Sequence, residues 1–270
     1  MEHRNFSVIS NQYTEDRMRD QAFFSQITQQ SFTAENYHFC APAFYYDTTQ
    51  IQINFMAPTK SVKALLPSPR LFPLRVTFNN TLVIISAYQY RDSDIGPYNE
   101  VAIVFPVTLD KPTLPFLGIS PFMRDPVVYI WQLPVTTPIA LYGGVEFYNF
   151  PKFIADIDFE EVGDRVQFRL AEGDHEIFTM NVRKISGKPK KRSRINALSL
   201  RSGRILRTEV ISSESNGGSS SRKEDIQFSL GDHPIADALR KLPLGAISSY
   251  EYIPKIQAIL TSPIESYPSS

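Results

Sequence analysis

The sequence predicts a mainly β protein with a few short helices, organised as an antiparallel sheet system. Three observations predict it. Runs rich in Val, Ile, Phe and Tyr recur at 75–78, 81–90, 99–107 and 127–133, the composition of strands. The stretches between them carry Pro, Gly, Asn and Asp, which favour turns. Farther on, 165–170 and 176–182 alternate apolar and polar residues around Glu172-Gly173-Asp174, the pattern of a hairpin. Short strands at this spacing argue for antiparallel pairing rather than a Rossmann-like fold.

The elements follow in order. Residues 1–35 are rich in Gln, Ser, Thr and charges without apolar periodicity, so an N-terminal arm is expected there, disordered or wrapped on a neighbouring subunit. The main domain spans 36–262 and a tail covers 263–270. Residues 51–55 alternate at the strand period of two. A short helix is expected over 59–66, with Thr59 and Ser61 near its start, and Pro67, Pro69 and Pro73 end it. Asn79-Asn80 reads as a tight turn between strands at 75–78 and 81–90. A helical turn is expected over 137–144 and a flexible Ser/Gly-rich loop over 212–221. Asp232 is expected to cap a helix running to about Lys241, with Pro234 in its first turn.

Composition bounds the function. The 270 residues are 42% hydrophobic, 12% aromatic and 21% charged, enough for one sizeable core and inconsistent with disorder throughout. Lysine plus arginine and aspartate plus glutamate each number 28, so no net field recruits nucleic acid or membrane. From Arg183 to Arg207 the charges are all basic. A solvated loop or exposed strand ends account for this run. A polybasic patch for nucleic acid or anionic lipid, or a nuclear import signal at 188–192, is the other reading, weakened by the lack of aromatics to stack bases. Cys40 is the single cysteine, so no intramolecular disulfide forms. His3, His38, His175 and His233 lack metal-ligand spacing, and neither a metal nor a cofactor is expected. With a polar start at 1–20 and no long apolar run, the expected compartment is the cytoplasm.

One residue stands out chemically. Lys152 follows Pro151 between Phe150 and Phe153, within a segment beginning Gly143-Gly144. An ammonium group dried by apolar neighbours loses its proton more easily, and a neutral amine attacks carbonyls to form imines. The plainer reading has the stem lying along the surface and the charge in water. Glu100, at the head of an apolar strand, is likewise either a proton shuttle or a carboxylate paired to a surface cation.

Four blocks resemble the acetoacetate decarboxylase family in the order the family shows them. They are Asn54 to Pro67, Tyr98 to Val107 with Glu100 at its start, Gly144 to Phe153, and Gly231 to Leu239 with Tyr252-Ile253-Pro254-Lys255 after it. The resemblance covers about 36–262. It implies an antiparallel β-barrel or sheet of that family's type, a homo-oligomer, a small keto acid as substrate, and no cofactor. It places the Schiff-base lysine at Lys152 and an active-site glutamate at Glu100. Acetoacetate decarboxylase is itself the standard example of a lysine activated by desolvation or by a second cation.

Departures from the family pattern concern the surroundings of the lysine. The family's second lysine is Phe153 here, its arginine after the glycine is Val145, and its early arginine aligns at about Thr48. A further acidic position has become Ile85 or Ser86. In an extended segment residues 152 and 153 face opposite ways, so Phe153 leaves the nucleophile intact. Loss of the early arginine bears on how a substrate carboxylate is held. The resemblance therefore implies decarboxylation of a short β-keto acid by Lys152 with Glu100 transferring protons. A Schiff-base aldolase or dehydratase, and a non-catalytic binding barrel, remain as alternatives. The pocket is expected to be apolar, drawn from residues such as Phe116, Met123, Trp131, Phe150 and Phe153, any of which could instead be core. Glu146 is expected to be structural, buried near the turn.

Overall fold

A computed structural model describes residues 21–25 and 27–269. The part of the expected arm at 1–20 lies outside the described residues. A short helix, α1 (Gln21–Phe24), precedes a hairpin of β1 (Gln30–Ala34) and β2 (Tyr37–Ala41). The hairpin turn holds Glu35 at φ 52°, at the boundary drawn between arm and domain.

The main sheet contains β3 (Ala43–Pro58), β5 (Asn80–Ser93), β6 (Tyr98–Leu109), β7 (Val127–Gln132), β12 (Ser193–Arg201), β13 (Arg204–Ser212) and β17 (Ile247–Leu260). Its order is β17-β3-β5-β6-β7-β12-β13, and β13 pairs again with β17 through Val210↔Leu260. The pairings thus run through a ring of seven strands. One of them departs from the expected antiparallel scheme: β12 lies parallel to β7, with Ala197 opposite Val128. Between these strands the chain crosses a helix and a second sheet, a connection long enough to return in the same direction. That second sheet, ordered β16-β10-β9-β8, consists of β8 (Asp156–Val162), β9 (Arg165–Glu172), β10 (His175–Arg183) and β16 (Ile226–Leu230).

Side-chain parity divides the ring into two faces. Ile51, Ile53, Val83, Ile85, Val101, Ile103 and Phe105 pack with Ile157, Phe168, Leu170 and Phe178 of the second sheet in one core. Their even-numbered neighbours Ile84, Ala102 and Val104 belong to a second cluster with Tyr45, Tyr90, Val128 and Ile130. Burying each large apolar side chain stabilises by about 1.5–3 kcal/mol. A slip of one residue would exchange the two faces, so burial fixes the register.

Several expected elements differ. The strand expected at 75–78 is a bend, because the N–H groups of Val76 and Thr77 both bond to Asn80 O. Pairing occurs earlier, in β4 (Leu71–Pro73) against β6. Helix α2 (Thr59–Lys63) ends before Leu66 and has no side-chain cap bond. A further helix, α3 (Ile119–Arg124), precedes β7. The expected turn over 137–144 extends into α4 (Pro138–Tyr148), which continues through both glycines to a left-handed Asn149. Glycine lowers helix propensity, but here a Cβ at Gly143 would meet the Phe39 ring at 2.8 Å, so packing requires its absence.

The expected loop over 212–221 forms short strands. β14 (Ser215–Asn216) pairs with β11 (Pro189–Lys190), and β15 (Gly218–Ser220) with β17. Close backbone approach selects glycine there: a Cβ at Gly187 would lie 2.0 Å from Gly217 O. The helix expected after Asp232 is α5 (Pro234–Arg240), but its cap is His233, whose Nδ1 accepts from Ile235 N–H at 3.1 Å. With Nδ1 accepting, Nε2 donates to Glu172 Oε2 at 2.9 Å. Asp232 instead faces His175 at 3.3 Å.

The basic run extends from the end of β10 through β11 into β12 and β13, and acids outside it face its arginines. Arg194 pairs with Glu209 at 3.2 Å, Arg201 with Glu146 at 3.5 Å, and Arg207 with Glu265 at 3.2 Å. Glu146 is therefore half-exposed in an ion pair, not buried. A last strand, β18 (Glu265–Pro268), pairs with β13. No helix among the described residues is long and apolar enough to cross a membrane.

Candidate active site

Three backbone bonds aim Lys152. Leu133 N–H donates to Pro151 O at 3.2 Å, Val135 N–H to Phe153 O at 2.9 Å, and Ala155 N–H to Val135 O at 3.0 Å. The segment after α4 is thereby held beside the ring in extended form, and consecutive side chains face opposite ways. Phe153 packs against the core shared with the second sheet. Lys152 turns the other way, into the ring.

There its Nζ lies 2.7 Å from Glu100 Oε2, with side chains only 5% and 10% exposed. The second carboxylate oxygen accepts from Tyr90 OH at 3.1 Å. Tyr98 OH donates to Tyr45 OH at 3.2 Å, and Lys152 Nζ stands 5.8 Å from the centre of the Tyr98 ring, within range of a cation–π contact. Burial, reinforced by the Glu100 charge, raises the hydroxyls of Tyr90 and Tyr98 well above the usual tyrosine value. Tyr45 shifts upward for the same reasons. Tyr90 and Tyr98 are neutral donors, to Glu100 and to Tyr45 respectively, since ionisation would put a second anion beside Glu100.

The pair opens on a cavity of about 270 Å³ inside the ring. Its walls are mostly hydrocarbon, with a polar strip of Thr48, Gln50, Gln52 and Ser86 along β3 and β5. Ser86 Oγ donates to Gln52 Oε1 at 3.4 Å. Thr48 is 1% exposed and its Oγ1 has no partner within the protein. Among the described residues Lys152 is the one cation in the cavity wall. Thr48 faces the cavity where the family arginine was expected. Of the two residues considered for the missing acid, Ser86 faces the cavity and Ile85 lies in the opposite core.

The aromatic residues considered for the pocket divide sharply. Phe150 lines the cavity. Phe153 and Trp131 pack on the other core, Trp131 stacking on Phe105 at 5.7 Å. Phe116 and Met123 are 53% and 72% exposed, placed outside by the loop before α3 and by that short helix. Sequence reasoning missed Tyr45, Tyr90 and Tyr98, although Tyr88 and Tyr90 share the parity of Ser86 on β5. It also missed Gly144, where a Cβ would come within 2.4 Å of Lys152 Cδ and Cε.

A model of the family described as acetoacetate decarboxylase (ADC) matches residues 27–255. The chain belongs to the acetoacetate decarboxylase family. Membership makes it a carboxy-lyase, a decarboxylase that forms a Schiff base with a small keto acid. Solved structures share the fold. An acetoacetate decarboxylase superposes with TM-score 0.58 at 15% identity, covering 84% of this chain and 88% of that one. The acetoacetate decarboxylase of Legionella pneumophila gives 0.58 at 16% identity with the same coverage. An enduracididine biosynthesis enzyme, MppR, complexed with pyruvate gives 0.55 at 12% identity, covering 84% of this chain and 90% of that one. Comparison with curated proteins found no match.

Proposed function

We propose that Lys152 is the Schiff-base nucleophile and Glu100 its proton carrier, acting on a short β-keto acid of the acetoacetate type. The observation that carries this reading is the 2.7 Å pair between them, sealed from bulk water at the cavity wall. A proton passing from Nζ to Glu100 leaves a neutral amine next to a carboxylic acid. The amine adds to the ketone carbon, and the acid donates as hydroxide leaves, giving an iminium ion and water. The iminium accepts the electron pair of the breaking C–C bond, so CO2 departs and an enamine remains. Protonation of the enamine carbon restores the iminium, and hydrolysis releases the ketone and Lys152.

The polar strip is suited to the substrate carboxylate. Thr48 Oγ1 and the Gln50 amide offer neutral hydrogen bonds in place of an arginine. Neutral donors hold the carboxylate less tightly than a cation would, which matters because its charge vanishes as CO2 forms. One second reading keeps the imine but makes the reaction a Schiff-base aldol condensation or dehydration, since Thr48 stands at the cavity wall where the family arginine was expected. The experiment is incubation with acetoacetate and borohydride, followed by peptide mass analysis. A reduced adduct on Lys152 together with CO2 release supports the decarboxylase. An adduct with no CO2 but with aldehyde consumption supports the second reading, and absence of any adduct overturns both.

A further inference from the structure

Lys152 stands in the wall between two spaces. Besides the ring cavity, a chamber of about 280 Å³ reaches it from the other side, under the β1–β2 hairpin and α4. Phe32, Phe39, Ala140, Phe147 and Leu260 are among its walls, and among the described residues Lys152 is the only charged one lining it. The aromatic walls brace one another: Phe147 meets Phe32 at 5.1 Å and Phe39 at 5.0 Å, both edge to face. Such contacts hold the chamber's shape.

A ketone carbon bonded to Nζ carries two substituents, and the spaces on either side of Lys152 differ in chemistry. The carboxylate-bearing arm requires donors, which the ring cavity supplies through Thr48, whose hydroxyl lacks a partner, and through the Gln50 amide, which directs one N–H to Gln52 and has a second. In the chamber, the hydroxyls of Tyr45 and Tyr98 are bonded to each other. Apart from Cys40 and Ser262, the remaining walls that would meet the second substituent are hydrocarbon and aromatic. A methyl group, similar in size to a water molecule at roughly 30 Å³, would leave most of that space unfilled.

We infer that the chamber binds the acyl chain of the substrate, and that the preferred substrates are 3-oxo acids with an unbranched apolar chain longer than that of acetoacetate. This rests on the Schiff-base reading of Lys152 and names the substrate class of the same site. Burial of a methylene raises kcat/KM by about fourfold.

The test compares acetoacetate, 3-oxohexanoate and 3-oxooctanoate, following CO2 release and borohydride trapping on the full chain. Between the shortest and the longest, kcat/KM is expected to rise at least tenfold. The variant Ile139→Trp, which places an indole in the chamber, is expected to cut the ratio of the 3-oxooctanoate value to the acetoacetate value by at least tenfold. Inhibition of the unaltered protein by 2-heptanone, expected to be stronger than by acetone, gives a readout independent of that variant's folding. Trapping of every substrate with equal or falling kcat/KM along the series overturns the chamber and leaves Lys152 as nucleophile. No trapping with any of them overturns the Schiff-base reading itself.

Discussion

Gly144 leaves the space through which the Lys152 side chain runs: a Cβ at 144 would stand 2.4 Å from Lys152 Cδ and Cε and 3.1 Å from Nζ. Gly144 lies inside a helix, where alanine would be the better residue by roughly 1 kcal/mol. Its glycine is kept for the lysine. Because the crowded atoms belong to a long side chain, Gly144→Ala is expected to fold and to displace the amine. Misplacement by an ångström costs on the order of 10²-fold, so borohydride trapping should slow by about that factor while the circular dichroism stays unchanged.

Glu100 touches both Lys152 and Tyr90, and its replacement removes the proton carrier. In Glu100→Gln the amine remains beside the cavity with no acid to serve it. The expected outcome is that borohydride trapping with acetoacetate and CO2 release both fall, by about 10²- to 10⁴-fold, because the same carboxyl takes the proton of the amine and gives it to the departing hydroxide. An unchanged kcat would remove Glu100 from the mechanism.

Thr48 has a buried hydroxyl with no partner in the protein. Leaving such a group unsatisfied costs about 1–3 kcal/mol, and a bound carboxylate would relieve that cost. Thr48→Val, nearly the same shape, is expected to raise KM about tenfold while the unliganded protein melts no lower. Thr48→Ser should restore KM. A lower melting temperature with unchanged KM would make Thr48 purely structural.

Buried tyrosines set an alkaline limit. Tyr129 and Tyr148 are pushed up to about 12 by burial, and Tyr45, Tyr90 and Tyr98 are raised by burial and by Glu100. Above pH 10 the unfolded chain loses these protons while the folded protein keeps them. The unfolded state then binds fewer protons, so stability falls as pH rises. Each group contributes on the order of 1 kcal/mol per pH unit in that window. Denaturant midpoints are expected to be level between pH 8 and 9.5 and to drop steeply from 10 to 12.

Much of the site was legible because it depends on short-range pattern. Lys152 follows a proline in apolar company, Glu100 opens a strand, and both are carried by blocks that resemble one family. The alternation of 51–55 located the strip that later holds Gln52. Phe116 and Met123 were beyond such reading: exposure depends on whether a neighbouring element covers a residue, and among the described residues the one ring Phe116 meets is that of the exposed Phe78, while Met123 stays 72% exposed. Trp131 and Phe153 are partly buried, but on the core that the ring shares with the second sheet, away from the cavity. The continuation of α4 through Gly143 and Gly144 contradicts local propensity, because the reasons for those glycines are Phe39 and Lys152, distant in sequence.

The sequence alone determined a β-rich chain, its family and the two residues proposed for its chemistry, since strand periodicity and motif order are properties of neighbours along the chain. Tertiary structure alone decided that Lys152 and Glu100 meet at 2.7 Å, that β12 returns parallel to β7, and that Lys152 lines both the ring cavity with its polar strip and the largely apolar chamber. These depend on which strands become neighbours across the ring. Long-range burial selects that arrangement, and no local pattern encodes it.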